Sequence, residues 1–181
     1  SVPVGDSVVV VGMGMTAIDA ATQSKRLGAE HVTLLYRRTE AEKPCTDTEL
    51  ELARLDGCSI IWLAAPKEII AKDGRVTHLV CSKMTLGTPD ASGRRSPVET
   101  GETFTLEADM VIKATGQLPF ETLLEHNGIA HRNGKISVNE QKMTSVPGVF
   151  AGGDNVNGGR EVVDAVQAGK EAAQGILAWM A

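Results

Sequence analysis

Two glycines and two arginines carry the most telling chemistry in this chain. Gly12, Gly14 and Ala17 stand in the spacing Gly-x-Gly-x-x-Ala, directly after the four valines Val8–Val11. In that spacing the first glycine permits a tight turn and the second lets backbone approach a pyrophosphate. The small third residue lets the following helix pack closely on the preceding strand. The positive end of that helix, at Met15 and Thr16, would then face the diphosphate of a dinucleotide. Arg37, Arg38 and, a little further on, Lys43 follow the next apolar run. An NAD site wants a carboxylate at this point, roughly 20 residues past the glycines, to accept hydrogen bonds from the ribose 2′-hydroxyl. Guanidinium groups instead suit a 2′-phosphate, which they bind through paired charge-assisted hydrogen bonds. The pattern therefore points to NADP(H).

The elements around these residues read as alternating strands and helices. A continuous β-branched run predicts a buried parallel strand at Ser7–Val11. A helix over Thr16–Leu27 follows, with Gly28 at its end. Thr16 and Asp19 match a capping box at the helix start. A strand at Val32–Tyr36, a helix from about Thr48 to Leu55 and a strand at Ser59–Leu63 complete a second βαβ unit. The pattern then changes. Asp73-Gly74-Arg75 lies between two strand-like runs, Glu68–Lys72 and Val76–Lys83, and predicts a hairpin. Residues 86–102, rich in Gly, Ser, Thr and Pro, read as a long loop, and Arg94 and Arg95 within it are expected in a mobile hairpin. Strands return at Thr103–Leu106 and Met110–Ala114, the latter closed by Thr115-Gly116. A short helix near Phe120–His126, a strand pair around Lys135–Ser137 and a helix from about Arg160 to Met180 complete the chain. On that last helix Val162, Val163, Val166, Ala173, Leu177 and Met180 share one face and read as packing surface.

Composition narrows the function. The chain has 181 residues, is 42% hydrophobic and only 3% aromatic, and carries a formal net charge of −5. Such a balance argues against a nucleic-acid surface. No apolar run reaches the length of a membrane span and no signal peptide is visible, so a cytoplasmic location is expected. The three cysteines, Cys45, Cys58 and Cys81, form no C-x-x-C pair and no cluster-binding set. Cys58 and Cys81 read as buried small hydrophobes. Cys45 sits beside Pro44 in a loop where it could be exposed, and no chemistry is assigned to it. The four histidines show no metal-ligand spacing, and no metal site is expected.

Taken together, Gly12-x-Gly14-x-x-Ala17, Tyr36-Arg37-Arg38, Ala114-Thr115-Gly116 and Phe150-Ala151-Gly152-Gly153-Asp154 form a specific combination. It resembles the FAD- and NADPH-dependent oxidoreductases that include the glutamate synthase small chain and the NADPH half of dihydropyrimidine dehydrogenase. Leu50–Ala53 with Cys58, Pro66-Lys67 and Gly74-Arg75-Val76 lean towards the second branch. The resemblance implies an α/β fold: a three-layer, Rossmann-like FAD/NAD(P)-binding parallel sheet with a small antiparallel β-meander. The C-terminal part of a second dinucleotide-binding domain would follow it. Residues 1–116 would form the NADP(H)-binding domain and residues 117–181 a segment of an incomplete FAD-binding domain. Only one glycine fingerprint is present, so the chain is expected to be a fragment of a larger flavoprotein and inactive alone, with self-association into a homodimer open to it.

By the same resemblance, Gly153 and Asp154 would face the ribityl-phosphate part of FAD, with Asp154 accepting a hydroxyl hydrogen bond. The start of the last helix, at Val162 and Val163, would aim its dipole at the flavin C2 carbonyl. Ala114, Thr115 and Gly116 would mark where the two dinucleotides approach. Hydride would pass from NADPH to FAD, and electrons would leave through iron–sulfur clusters in absent domains or through a second catalytic subunit. One departure is local: family fingerprints carry Gly and Asn where this chain has Met13 and Met15. Other enzyme classes fit poorly. A short-chain dehydrogenase needs Tyr-x-x-x-Lys, but the single tyrosine, Tyr36, is followed by Glu40. A methyltransferase would want an acid where Arg37 stands. An NADP(H)-binding sensor or structural module without flavin remains the alternative.

Overall fold

Four consecutive valines cannot face water on either side, and the fold buries both faces of the strand that they make. In the computed structural model, residues 3–91 and 93–181 are described. The chain divides into two compact units, Ser1–Gly116 and Gln117–Ala181. The first unit runs β1 (Ser7–Val11), α1 (Met15–Arg26), β2 (His31–Tyr36), α2 (Asp47–Leu55) and β3 (Ser59–Trp62). It continues with β4 (Ala64–Lys72), β5 (Arg75–Pro89), β6 (Arg95–Glu107) and β7 (Met110–Lys113). β1, β2, β3 and β7 form a parallel sheet in the order β3-β2-β1-β7, and β4, β5 and β6 form an antiparallel sheet. β1 registers Val8 against Val32 on one side and against Met110 on the other. Val8 and Val10 pack with Ile18 and Ala21 of α1 and Leu50 and Ala53 of α2. Val9 and Val11 pack on the opposite face with Leu35, Ala64, Leu79 and Cys81. The result is helices, parallel sheet and meander in three layers, the expected architecture. Burying each such side chain contributes about 1.5–3 kcal/mol.

Four expectations change. Residues 86–102 are not a loop: β5 runs to Pro89, β6 starts at Arg95, and Thr85 pairs with Val98 and Leu86 with Pro97. Backbone pairing needs no apolar side chain, so a Thr- and Pro-rich arm can extend beyond the core. Register shifts between Ser82 and Met84, and between Leu86 and Pro89, absorb the irregularity. Thr16 is not a helix cap, because α1 begins at Met15 with Gly14 at the cap position and no side-chain cap bond. Cys45 is buried rather than exposed, its N–H donating to the Met13 carbonyl at 3.1 Å. The fourth change lies in the last helix.

The second unit contains α3 (Glu121–His126), β8 (His131–Arg132), β9 (Lys135–Ile136), α4 (Asp154–Asn157) and α5 (Val162–Met180). The expected packing stripe on α5 is exposed at Val162, Val163, Val166, Ala173, Leu177 and Met180. The helix packs through small residues instead. Gly175 is buried, and a Cβ there would come within 2.0 Å of the Gln141 carbonyl oxygen. A Cβ at Gly152 would meet Ala168 at 3.0 Å. Close approach through small residues leaves the large side chains pointing elsewhere. No helix among the described residues is long and apolar enough to cross a membrane.

Two outcomes follow from this packing. Gly12 has φ of +137°, and a Cβ added to it would lie 2.2 Å from the Ala114 carbonyl oxygen. Gly12→Ala should therefore lower unfolding stability in urea titration by roughly 2 kcal/mol or more. A Cβ at Gly14 would meet nothing closer than the Pro44 ring at 3.9 Å, so Gly14→Ala should unfold close to the parent. Burial pushes the Cys81 thiol from 9.0 up to about 11, and raises Cys45 and Cys58 as well. Above the ordinary thiol value the unfolded chain ionises while the folded chain holds its protons. Stability should thus fall as pH rises from 9.0 towards about 11, as urea midpoints across that range would reveal.

Candidate nucleotide site

At the carboxyl edge of the parallel sheet, the chain leaves β1 through a turn built on Gly12. Its N–H donates to the Leu35 carbonyl at 3.0 Å. The close approach of Gly12 to Ala114 and to the buried Ala17 fixes the turn against β7 and α1. Gly14 follows in an extended conformation, with φ of −84° and ψ of 174°. Its carbonyl accepts from Ala17 at 2.9 Å and from Ile18 at 3.1 Å. Among the described residues, no acceptor faces the N–H groups of Gly14, Met15 and Thr16, and the first turn of α1 holds no acid. The start of α1 is therefore open and positive-ended. Of the two residues that depart from the resembled pattern, Met13 is buried in the core and Met15 is exposed.

β2 ends beside this turn. Arg37 is exposed, whereas Arg38 is only 8% exposed. The Arg38 carbonyl accepts from Leu63 at 3.1 Å. Among the described residues, its guanidinium lies within ion-pair distance of no carboxylate, although a buried charge ordinarily requires a partner. The nearby acids are engaged elsewhere. Glu40 pairs with Arg54 at 2.8 Å, and the Glu42 carboxylate accepts from the Thr39 N–H at 3.0 Å and from the Thr39 hydroxyl. The hydrogen bond from the Thr39 side chain holds Glu42 below its ordinary range, with the Arg95 and Arg38 charges adding to the effect. Lys43 is committed to Asp47 at 2.6 Å. The Tyr36 hydroxyl donates to the Glu42 carbonyl at 2.8 Å, and its ring meets Trp62 edge-on at 6.0 Å. Burial raises the Tyr36 hydroxyl, opposed by the charges of Arg38, Arg37 and Arg94.

β7 delivers the third group to the same edge. The Ala114 N–H donates to the Val11 carbonyl at 2.8 Å, and Gly116 turns the chain away with φ of +94°. The fold thus gathers Gly12–Ala17, Arg37–Arg38 and Ala114–Gly116, and gives Lys43 a partner of its own. The Met13–Cys45 tie and the Ala114 contact that locks Gly12 had no signal in the sequence, since both join segments distant along the chain. In the second unit, Gly153 has φ of +70° and lies against Ala165 of α5. Asp154 is exposed, its Oδ1 accepting from the Arg160 N–H at 3.4 Å. Val162 and Val163, at the start of α5, are 79% and 70% exposed. There the Glu161 N–H donates to Asp164 at 3.3 Å.

The chain is 43% identical over 174 residues to the β subunit of an NADP(+)-dependent formate dehydrogenase from Moorella thermoacetica, covering 95% of this chain and 25% of that protein. It is 41% identical over 180 residues to the glutamate synthase [NADPH] small chain of Azospirillum brasilense, covering 97% of this chain and 37% of that one. This chain therefore spans well under half of the length of these relatives. Among solved structures, T. acidophilum thioredoxin reductase superposes with a TM-score of 0.77 at 25% identity, over 95% of this chain and 52% of that one. The family described as pyridine nucleotide-disulphide oxidoreductase matches residues 1–169. By this match and by its βαβ-plus-meander fold, the chain belongs to the pyridine nucleotide-disulphide oxidoreductase family.

Proposed function

We propose that this chain is the NADP(H)-binding module of a flavin-dependent oxidoreductase, and that it also contributes part of the flavin site. The observation that carries the nucleotide half is Arg38, a nearly buried residue that has no carboxylate partner among the described residues, at the sheet edge where α1 starts with N–H groups that no described acceptor faces. Arg37 and Arg38 would take the 2′-phosphate. The free N–H groups of Gly14, Met15 and Thr16 would take the diphosphate, with Gly12 and Ala17 shaping the turn that presents them. The open space over Gly14 is where the diphosphate backbone would pass. Lys43, neutralised by Asp47, would add to the local field at longer range. Ala114, Thr115 and Gly116 would border the nicotinamide end. The names of the formate dehydrogenase and glutamate synthase relatives, both nucleotide-dependent, support this reading.

Gly153, Asp154, Val162 and Val163 suit a flavin's ribityl and ring edge. Asp154 keeps an exposed acceptor for a hydroxyl, and Val162 and Val163 begin α5 between Glu161 and Asp164, which cap each other. When bound, FAD would supply the acceptor for the nicotinamide hydride. This chain's residues would bind and orient, and no proton-transfer group is required of them. Residues 1–116 would then be the NADP(H) domain and residues 117–181 a portion of the FAD domain. Electrons would pass on to iron–sulfur clusters or a partner subunit supplied by other polypeptide. The final acceptor belongs to those parts.

Titration calorimetry tests the nucleotide assignment. Exchanging Arg37 and Arg38 together for glutamine should weaken NADPH binding by roughly tenfold or more per arginine, at on the order of 1.5–3 kcal/mol each, while NADH binding changes little. Equal losses would remove the 2′-phosphate assignment. Gly14→Val should fold yet bind neither nucleotide. The flavin half is checked in the whole protein of which this sequence forms part. Anaerobic NADPH should bleach a flavin absorbance band, and a protein without such a band would be a nucleotide-binding sensor or structural module instead.

A further inference from the structure

The long β5–β6 arm does not simply project into solvent. The Leu63 N–H donates to the Arg38 carbonyl at 3.1 Å, and the Met84 N–H donates to the Leu63 carbonyl at 2.7 Å. These two consecutive bonds tie the arm to Arg38, two residues past the end of β2. Leu63 adopts φ of +54° at the crossing, a region that a branched residue enters only when its surroundings hold it there. From Met84 the arm runs on to Pro89 and returns through Arg94 and Arg95.

Arg95 does not follow the arm outward. Its Nε donates to the Gly87 carbonyl at 3.0 Å and its Nη2 to the Leu86 carbonyl at 3.3 Å. Leu86 and Gly87 are two and three residues past Met84, a span of about 7–10 Å along a strand. The guanidinium is therefore folded back towards the end of β2. Arg94 is fixed beside it by its N–H to Asp90 at 3.0 Å and its carbonyl to the Asp90 N–H at 2.9 Å. The charge of Arg95 is felt at Glu42, and that of Arg94 at the Tyr36 hydroxyl. Arg38 and Arg95 thus both bear on Glu42, a carboxylate already occupied by Thr39, and Arg37, Arg38 and Arg94 bear on the Tyr36 hydroxyl that donates to the Glu42 carbonyl. Like charges gathered this way repel unless an anion sits among them, and a phosphate monoester brings a charge of about −1.5 to −2.

We propose that Arg95, with Arg94 beside it, reaches from the meander arm over the 2′-phosphate position and is a determinant of NADP(H) specificity additional to Arg37 and Arg38. The inference rests on the assignment of NADP(H) to the β2 end. It makes the arm part of the nucleotide site and gives its length a purpose that core packing does not supply.

The test is calorimetric binding of NADPH and of NADH to the parent, to R94Q/R95Q, to R95K and to R37Q/R38Q. R94Q/R95Q should weaken NADPH about tenfold and leave NADH within about twofold. R95K, which keeps the charge but alters the bonds to Leu86 and Gly87, should retain most of the preference. If R94Q/R95Q binds both nucleotides as the parent does, the proposal is overturned. A selective loss in R37Q/R38Q would in that case leave the β2 assignment standing. Equal loss of both nucleotides in R94Q/R95Q and R95K would mean that Arg95 only braces the arm, and that also overturns it. If R37Q/R38Q shows no selective loss, the β2 assignment and the proposal fall together.

Discussion

The contact on which the candidate site depends is the approach of Gly12 to the Ala114 carbonyl. β1 lies between β2 and β7, so its exit must turn within the width of one strand. There is no room at this point for a Cβ, and the required backbone dihedral is one that side-chain-bearing residues avoid. Because the turn is fixed, α1 starts at a set place, with Ala17 packed against it and its first N–H groups directed outward. The same contact brings the end of β7 next to the end of β1. Remove that approach and the three groups at the carboxyl edge lose their common frame.

Electrostatics decide what this frame is suited to hold. In a chain with a net charge of −5, a basic side chain could find a carboxylate easily, and Arg54, Arg26 and Lys43 all do so. Arg38 is nearly buried and, among the described residues, has no carboxylate within ion-pair distance, so its charge stays available to an anion. The acids nearest to it are withdrawn: Glu40 to Arg54, and Glu42 to its own Thr39. Steric openness over Gly14 and the absence of an acid in the first turn of α1 work in the same sense. Shape and charge agree at one edge of the sheet.

The second unit obeys a different constraint. α5 approaches the segment before it through Gly175 and Ala168, and such closeness is possible only where side chains are small. The helix is held there also by Lys142 and Glu171 at 2.9 Å. Its valines, Leu177 and Met180 are consequently left on the surface, an apolar face of a kind that folded domains normally cover. The relatives extend well beyond the span matched here, which accords with a covering element supplied by other parts of such proteins.

Much of the fold was legible because local rules and burial coincide in it. Val8–Val11 had to be a central strand, Gly12-x-Gly14-x-x-Ala17 had to be its turn into a helix, and Asp73-Gly74 had to close a hairpin. Arg37 and Arg38 were identifiable as the ionic end of β2 from their position alone. What the sequence could not determine depends on groups far apart in the chain. Periodicity marks an apolar stripe on α5 but does not say which face meets a neighbour, and close packing through small residues reversed the expectation. Composition marks 86–102 as irregular, yet backbone pairing to a partner strand is indifferent to composition. Cys45 beside a proline gave no hint that Met13 would draw it inward. Above all, only the tertiary structure decided that Arg38 is buried with no carboxylate partner among the described residues while Lys43 has one, and that Arg95 is turned back along its arm to Leu86 and Gly87. Charge pairing is settled by distance in space, which a linear pattern does not record.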